Sequence, residues 1–314
     1  MFFVIIIYNL YERNLMKYFL SLFVSIIFIA CGTNSSDDKE VKLLFKSGFE
    51  DGVYLDTPYN DGGATWMQDI KGSDNSNFSF PINIWETKGS FQVLVDSSVD
   101  SYEYIQNKII TTIGHTGEYT KVMSSEVLKA DKSWTQDPYI LEDAKEDGDL
   151  YISYWLKLPA NLPAVLGDGT NDDGWCTFFE FKTSGDYRIA AYVYVEDDQV
   201  FWHAHGDNVA NGDNFTVRKE YWQRDNKIVP VPQDEWFKVE FFWHRSTNSD
   251  GRFWWAVNGN VIVDYHGVNK IKEPIDRIML FTVYSEKLPL KQLVDDIEIY
   301  DGFPCGEGKS CYEK

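Results

Sequence analysis

Residues 175–194, WCTFFEFKTSGDYRIAAYVY, alternate between apolar and polar side chains on both sides of a Ser184-Gly185-Asp186 turn. A two-residue period is the mark of a strand with one face in a core, because successive side chains leave a pleated strand on opposite sides. Phe179 and Phe181 then share one face, and Glu180 and Lys182 the other. Beyond the turn, Ile189, Ala191, Val193 and Val195 face the core while Arg188, Tyr192 and Tyr194 face away. The outward set holds a carboxylate, an ammonium, a guanidinium and two phenols, where an ordinary solvent face is richer in Thr, Ser and Lys. A ligand-handling groove and a plain polar face are both open readings of it.

The same period recurs along most of the chain. DLYISYWLKLP (149–159), QVFWHAH (199–205), WFKVEFFWH (236–244) and RFWWAV (252–257) read as strands. Ser249-Asp250-Gly251 and Asn258-Gly259 are turn signals between them. Residues 278–284 and 293–300 complete the set, with 41–52 a first strand and its exit, 91–95 and 104–113 strand-like and 124–128 ambiguous. Residues 54–80, rich in Asn, Asp, Gly and Ser, read as irregular with short strands. Residues 129–148, 160–174 and 206–233 read as loops. No helical period of useful length, internal repeat or domain linker is present. Many short strands in one block predict an all-β sandwich of jelly-roll type over residues 43–304. Its aromatic content of 16% is ample for a large core, and equally for sugar-stacking platforms. A net charge of −20 excludes nucleic acid as a partner, since phosphate binding needs a basic footprint.

The N-terminus reads as a targeting segment, with Met1 or Met16 as the true start. Met16-Lys17 and the apolar run to Ala30 end in Phe28-Ile29-Ala30-Cys31-Gly32, which resembles a bacterial lipoprotein signal over residues 1–31 with Cys31 as the acylated residue. A polar tether, residues 32–42, follows. Its Ser36-Asp37-Asp38 resembles a surface-export signal of Bacteroidota lipoproteins, and a flexible linker is the other reading. The expectation is an outer-membrane, cell-surface lipoprotein whose only membrane contact is the lipid. Cys305 and Cys311 close a short loop in the 305–314 tail and are expected to form a disulfide in an oxidising compartment. Cys176 is left as a small buried residue.

The order GFEDG, YISYWLKLP, WxxFFEFK, DEWFKVEFFWHRSTNSDGRFWWAVNG, RIMLFTVYSE and VDDIEIYDG resembles the concanavalin A-like β-jelly-roll sandwich of bacterial polysaccharide lyases, the group of alginate, heparin, glucuronan and ulvan lyases. The passage with the DG turn and W-x-V-N-G also occurs in lectin-like modules of the superfamily, so it speaks for the fold more than for the activity. The resemblance implies β-elimination on a uronic-acid polysaccharide, with the reacting groups on the concave sheet. A non-catalytic carbohydrate-binding lipoprotein on the same fold is the alternative. The E-x-D-x-x-E signature of jelly-roll glycoside hydrolases is absent.

Such lyases need a group that neutralises the sugar carboxylate, a base for the C5 proton and an acid for the leaving oxygen. RIMLFTVYSE resembles the lyase strand that ends in a functional Tyr, which implies Tyr284 as acid. FFEFK stands where several lyases carry Gln-x-His, so Glu180 and Lys182 are a departure; Lys182 as base with Tyr284 as acid follows ulvan-type lyases. Arg188 or Arg245 is the candidate neutraliser, Arg245 being equally readable as solvated at its turn. His203 and His205, at i and i+2, share one strand face and are candidate bases or plain polar-face residues. Glu180, Tyr192 and Tyr194 are candidate sugar contacts. So are Arg218, Tyr221, Trp222 and Arg224 of the loop RKEYWQRDNK, a local basic-aromatic patch or an ordinary mixed-charge loop. Glu50, Asp51, Asp295 and Asp296 are expected to meet where the first and last strands run together, and oxygen donors there suit a structural Ca²⁺ or are simply turn-forming acids. No organic cofactor is expected, and the chain is expected to be a monomer.

Overall fold

Strand propensity and alternation produce two antiparallel sheets in the computed structural model. It describes residues 40–312 except 51, 61–64, 74–78, 81–88, 95–104, 129–138, 143–148, 170–173, 183–186, 209–218, 270–276 and 282–289. In chain order the first strands are β1 (Leu43–Ser47), β2 (Val53–Leu55), β3 (Tyr59–Asn60), β4 (Thr65–Ser73), β5 (Ser79–Phe80), β6 (Gly89–Leu94) and β7 (Ile105–Ile113). Next come β8 (Tyr119–Val127), β9 (Tyr139–Glu142), β10 (Asp149–Lys157), a short helix α1 (Leu162–Leu166), β11 (Trp175–Lys182), β12 (Arg188–Glu196) and β13 (Gln199–Asp207). The last are β14 (Glu220–Asn226), β15 (Trp236–His244), β16 (Arg252–Val257), β17 (Asn260–His266), β18 (Arg277–Leu280) and β19 (Leu290–Tyr300).

The first sheet runs β17-β16-β15-β10-β19-β8-β7, with β1 added to β19. The second runs β14-β13-β12-β11-β18-β9-β6-β4-β2, with β3 and β5 on β4. All their pairings are antiparallel, and non-sequential neighbours such as β10 and β19 give the crossovers of a jelly-roll sandwich. Residues 41–314 form one compact unit.

The core lies between the sheets and is largely aromatic. Phe178 and Trp202 of the second sheet meet Trp255 of the first, each with ring centroids 5.4 Å from it. Phe179 stacks on Phe241 at 3.7 Å with planes 12° apart. Fully burying side chains of this size contributes about 1.5–3 kcal/mol apiece, so this layer is what holds the sheets face to face.

Strict alternation fails within β11. Thr177 lies opposite Tyr192 and Phe179 opposite Ala191, so Phe178 is the extra residue of a β-bulge. Both phenylalanines thereby enter the core, and Trp175 and Thr177 share their sheet face with Glu180. The Phe178 carbonyl accepts from Tyr154 Oη at 3.0 Å and from the Phe281 N–H at 3.2 Å. That second bond, with Phe281 at φ 56°, stands where β18 ends at Leu280. Two stretches read as loops also contain strands: β9 lies within 129–148 and β14 within 206–233. β9 pairs with β18 and β6, far off in sequence, and β14 with β13, the strand before it; that pairing compensates for their weak local propensity. The Asn258-Gly259 turn behaves as its residues demand, with φ positive at both (46° and 77°), as a type I′ hairpin requires.

Cys305 and Cys311 are joined, and Cys176 is buried. The tail they pin lies on the outer face of the first sheet. Phe303 stacks on Phe242 at 3.9 Å, and the fully buried Glu240 accepts from Tyr151 Oη at 2.6 Å, from the Cys311 N–H at 2.5 Å and from Ser310 Oγ. Removing both cysteines by serine substitution should lower unfolding free energy by about 2 kcal/mol, the closure entropy of so short a loop. Denaturant unfolding measures it; unchanged stability would mean that the tail docks without its staple.

Candidate functional site

Register brings the polar faces of β11 to β14 together. Glu180 stands opposite Ala190, Ala190 opposite His205, and His205 opposite Gln223. Tyr192 stands opposite His203, and His203 opposite Asp225. Arg188 stands opposite Asp207. Because facing residues in a ladder share a side, these groups form one surface. Lys182, described by backbone alone, pairs in register with Arg188 on one side and with Arg277 on the other.

The side chains form a continuous network. Arg188 forks onto Asp207, Nε to Oδ1 at 3.0 Å and Nη2 to Oδ2 at 2.7 Å, and its Nη1 lies 3.7 Å from Glu180 Oε2. His205 Nε2 is 3.2 Å from Asp207 Oδ2 and 3.4 Å from Arg188 Nη2, and its Nδ1 faces His203 Nε2 at 3.3 Å. His203 Nδ1 reaches Asp225 Oδ1 at 2.6 Å. Tyr192 Oη lies 3.4 Å from His205 Nε2. Burial holds His205 below its ordinary pKa against the pull of Asp207. Burial alone would raise Asp207, but hydrogen bonds from His205 and Arg188 hold it well below the carboxylate range. The site thus presents an imidazole beside a buried ion pair.

Aromatic rings flank these groups. Trp175 meets Tyr192 edge-on at 5.9 Å, and Tyr194 stacks with Phe201 at 5.8 Å. A cavity of about 220 Å³ opens beside His203, between Tyr194, Phe201, Gln223 and Asp225. Rings that can stack beside hydroxyl, imidazole and carboxylate groups suit a sugar.

Other expected site residues fall elsewhere. Trp222 is a core residue: its ring stacks on Tyr265 at 4.5 Å and its Nε1 donates to Tyr187 Oη at 2.9 Å. β14 is a strand whose phase turns position 222 inward; a side chain at Gly206, its register partner, would collide with Trp222 and Tyr187. Arg224 pairs with the buried Ala204 and so lies on the face opposite the histidines. Tyr221 stacks on Tyr187 at 5.1 Å. Arg245 follows β15 of the other sheet, buried, with its guanidinium 5.9 Å from the Trp243 ring, so it is neither solvated nor on this surface. Tyr284, Arg218, Asp51 and Cys31 lie outside the described residues. Asp207 and Asp225 were missed in the sequence. The i+2 step beyond His205 in HAHGD pointed to the first, whereas the second needed β14 to be seen as a strand.

The junction of the first and last strands gathers Glu50, Asp295 and Asp296. Ligand atoms of Asp295, Asp296 and His115 all lie within 4.8 Å of one another, and His115 Nε2 is 2.8 Å from Asp296 Oδ2. Burial, then repulsion from Asp296 and Glu50, pushes Asp295 up to about 8. A Cβ at Gly48 would stand 2.8 Å from Asp296 Oδ1, and one at Gly114 3.5 Å from Asp295 Oδ2, so glycines border the carboxylates on two sides. Glu50 Oε1 accepts from Thr120 Oγ1.

No family model matches the sequence, and no curated protein matches it either. Among solved structures, an alginate lyase is similar over 58% of this chain and 82% of its own, at 14% identity and a TM-score of 0.40. An endo-β-1,4-glucuronan lyase from the fungus Trichoderma reesei is similar over 64% and 91%, at 10% identity and 0.46. Domain 4 of an extracellular arabinanase from Geobacillus stearothermophilus, in complex with arabinotriose, is similar over 84% and 94%, at 12% identity and 0.42. At such scores these likenesses carry no argument; the fold rests on the strands and their register.

Proposed function

We propose that this chain is a surface lipoprotein whose second sheet handles an acidic polysaccharide, cleaving it at uronic-acid residues by β-elimination. The observation that carries the proposal is the register row Glu142, Arg277, Lys182, Arg188, Asp207 across β9, β18, β11, β12 and β13, three cationic positions with an acid at each end. In a chain of net charge −20, three adjacent cationic positions beside Tyr192, His203 and His205 suit a carboxylated sugar. Arg277 and Arg188 supply the positive field at the uronate carboxylate, a role that Arg245 cannot take from the other sheet. Lys182 takes the C5 proton; its flanking cations favour the neutral amine that a base requires, against the opposing pull of Glu180. The C5–H electron pair forms the C4=C5 double bond, the C4–O bond breaks, and the leaving oxygen takes the proton of Tyr284.

Incubating the protein with a panel of uronic-acid polysaccharides tests this through the ultraviolet absorbance of the unsaturated product. Binding without product would favour a non-catalytic glycan-binding lipoprotein. That second reading draws on the closed state of Arg188, whose fork is already taken by Asp207.

The anchor rests on Cys31 after its apolar run. Cys31→Ser should move the protein from the membrane fraction to the soluble one; unchanged fractionation would remove the anchor from the proposal.

The carboxylates Glu50, Asp295 and Asp296 fit a hard cation, and calcium is the one their oxygen donors suit best. Bound there, it would tie β19 to the exit of β1. A chelator should therefore lower the melting temperature by about 5 °C or more if the ion is held at a hundred times its dissociation constant. No shift on chelation, in protein prepared with calcium, would exclude the ion.

A further inference from the structure

The first sheet carries a pocket of about 500 Å³ on the face away from the core, remote in topology from the histidines of the second sheet. Its floor is strand: Trp155 of β10 and Lys238 of β15 are register partners, and β19 contributes Glu298 and Tyr300. Its wall is the disulfide-pinned tail, which adds Tyr312, ring centroid 5.9 Å from Trp155. His115 stacks on Trp155 at 4.1 Å with planes 6° apart, which fixes the indole in place. The tail lines this pocket without filling it, so outward rings on a sheet remain open to a ligand.

The acids of the pocket are already answered. Glu298 accepts from Lys46 Nζ at 2.9 Å and from Tyr300 Oη at 3.2 Å, and Asp296 is met by His115 and by the field of Lys238. The donors are not. Among the described residues the Lys238 ammonium makes no ion pair, and Trp155 Nε1 and Tyr312 Oη make no hydrogen bond. One cation held in no contact ion pair and two spare donors beside two rings match a sugar that carries an acid group.

The geometry points to a second glycan-binding site here, for a sugar residue bearing a carboxylate or a sulfate. Trp155 and Tyr312 take the faces of the sugar and Lys238 its charge. The inference deepens the acidic-polysaccharide reading and rests on it for the class of ligand. Two sites on one chain would let it grip a long polymer twice, which raises retention without any new contact.

The test is calorimetric titration of the full chain in a Tyr284→Phe background, so that the ligand survives. Three ligands are compared: a β-1,4-linked glucuronate hexasaccharide, 6-O-sulfated cellohexaose and plain cellohexaose. Two sites are expected for an anionic ligand, with Lys238→Gln or Tyr312→Ala weakening one of them by about tenfold and sparing the other. Lys238→Arg should restore that site, which separates a charge role from a folding defect. The stronger of the two anionic ligands tells carboxylate from sulfate. Cellohexaose binding there as tightly as either, or unchanged affinity in Lys238→Gln, would overturn the inference. Loss of the Lys238 site alone, with the other intact, supports it. Retention of the Lys238 site when the parent chain yields no product and no second site is found would count against the preceding proposal and leave this one standing.

Discussion

A Tyr284→Phe variant is expected to cleave a uronate polysaccharide about a hundredfold or more slowly than the parent chain, with substrate binding little changed. The substitution removes one hydroxyl and keeps the ring, so packing is preserved while the proton for the leaving oxygen is lost. If kcat falls with KM unchanged, the lost interaction belongs to the transition state. If KM rises instead and kcat holds, the hydroxyl only binds sugar. Full activity in the variant would reject Tyr284 as the acid and return the role to Tyr192 or to the histidine pair, which share the face of Arg188.

The largest effect on stability is expected at Asp207. Its carboxylate is fully buried and closes the Arg188 guanidinium, itself only 16% exposed. Asp207→Ala would leave that cation without its fork, and breaking a buried pair from one side costs about 3–5 kcal/mol. For a chain of this size the melting temperature should fall by about 10 °C, read by calorimetry. A loss under about 1 kcal/mol would place Arg188 in solvent rather than in a closed pair.

Asp207 and its neighbour His205 shape the acid limb of stability. Both His205 and Asp207 have folded pKa values below their ordinary ones. For each, the unfolded chain binds the proton more readily, so stability is full above the unfolded value and falls as the pH drops through the folded one. The decline should start below pH about 6.5, as the unfolded histidine begins to take up a proton, and steepen below about 4, where carboxylates do. The Asp207→Ala chain should lose the steeper part. An unaltered acid limb in that variant would mean that other carboxylates carry it.

Local chemistry was enough to read the all-β class, the strand faces of β12 and β13, the Asn258-Gly259 turn and the cysteine pair. A period of two, a pair of turn residues and a short Cys–Cys spacing are each properties of a few consecutive residues. Tertiary structure alone decided the phase of β11, where Phe178 bulges out of the ladder because two aromatic neighbours could be buried against Phe241 and Trp255. It also made β14 a strand, which turned Trp222 into the core and set Asp225 beside His203. The row of Arg277, Lys182 and Arg188 is likewise invisible along the chain, where β18 lies far beyond β12. Register between strands is fixed by what they pack against, and that information belongs to pairs of segments rather than to either one.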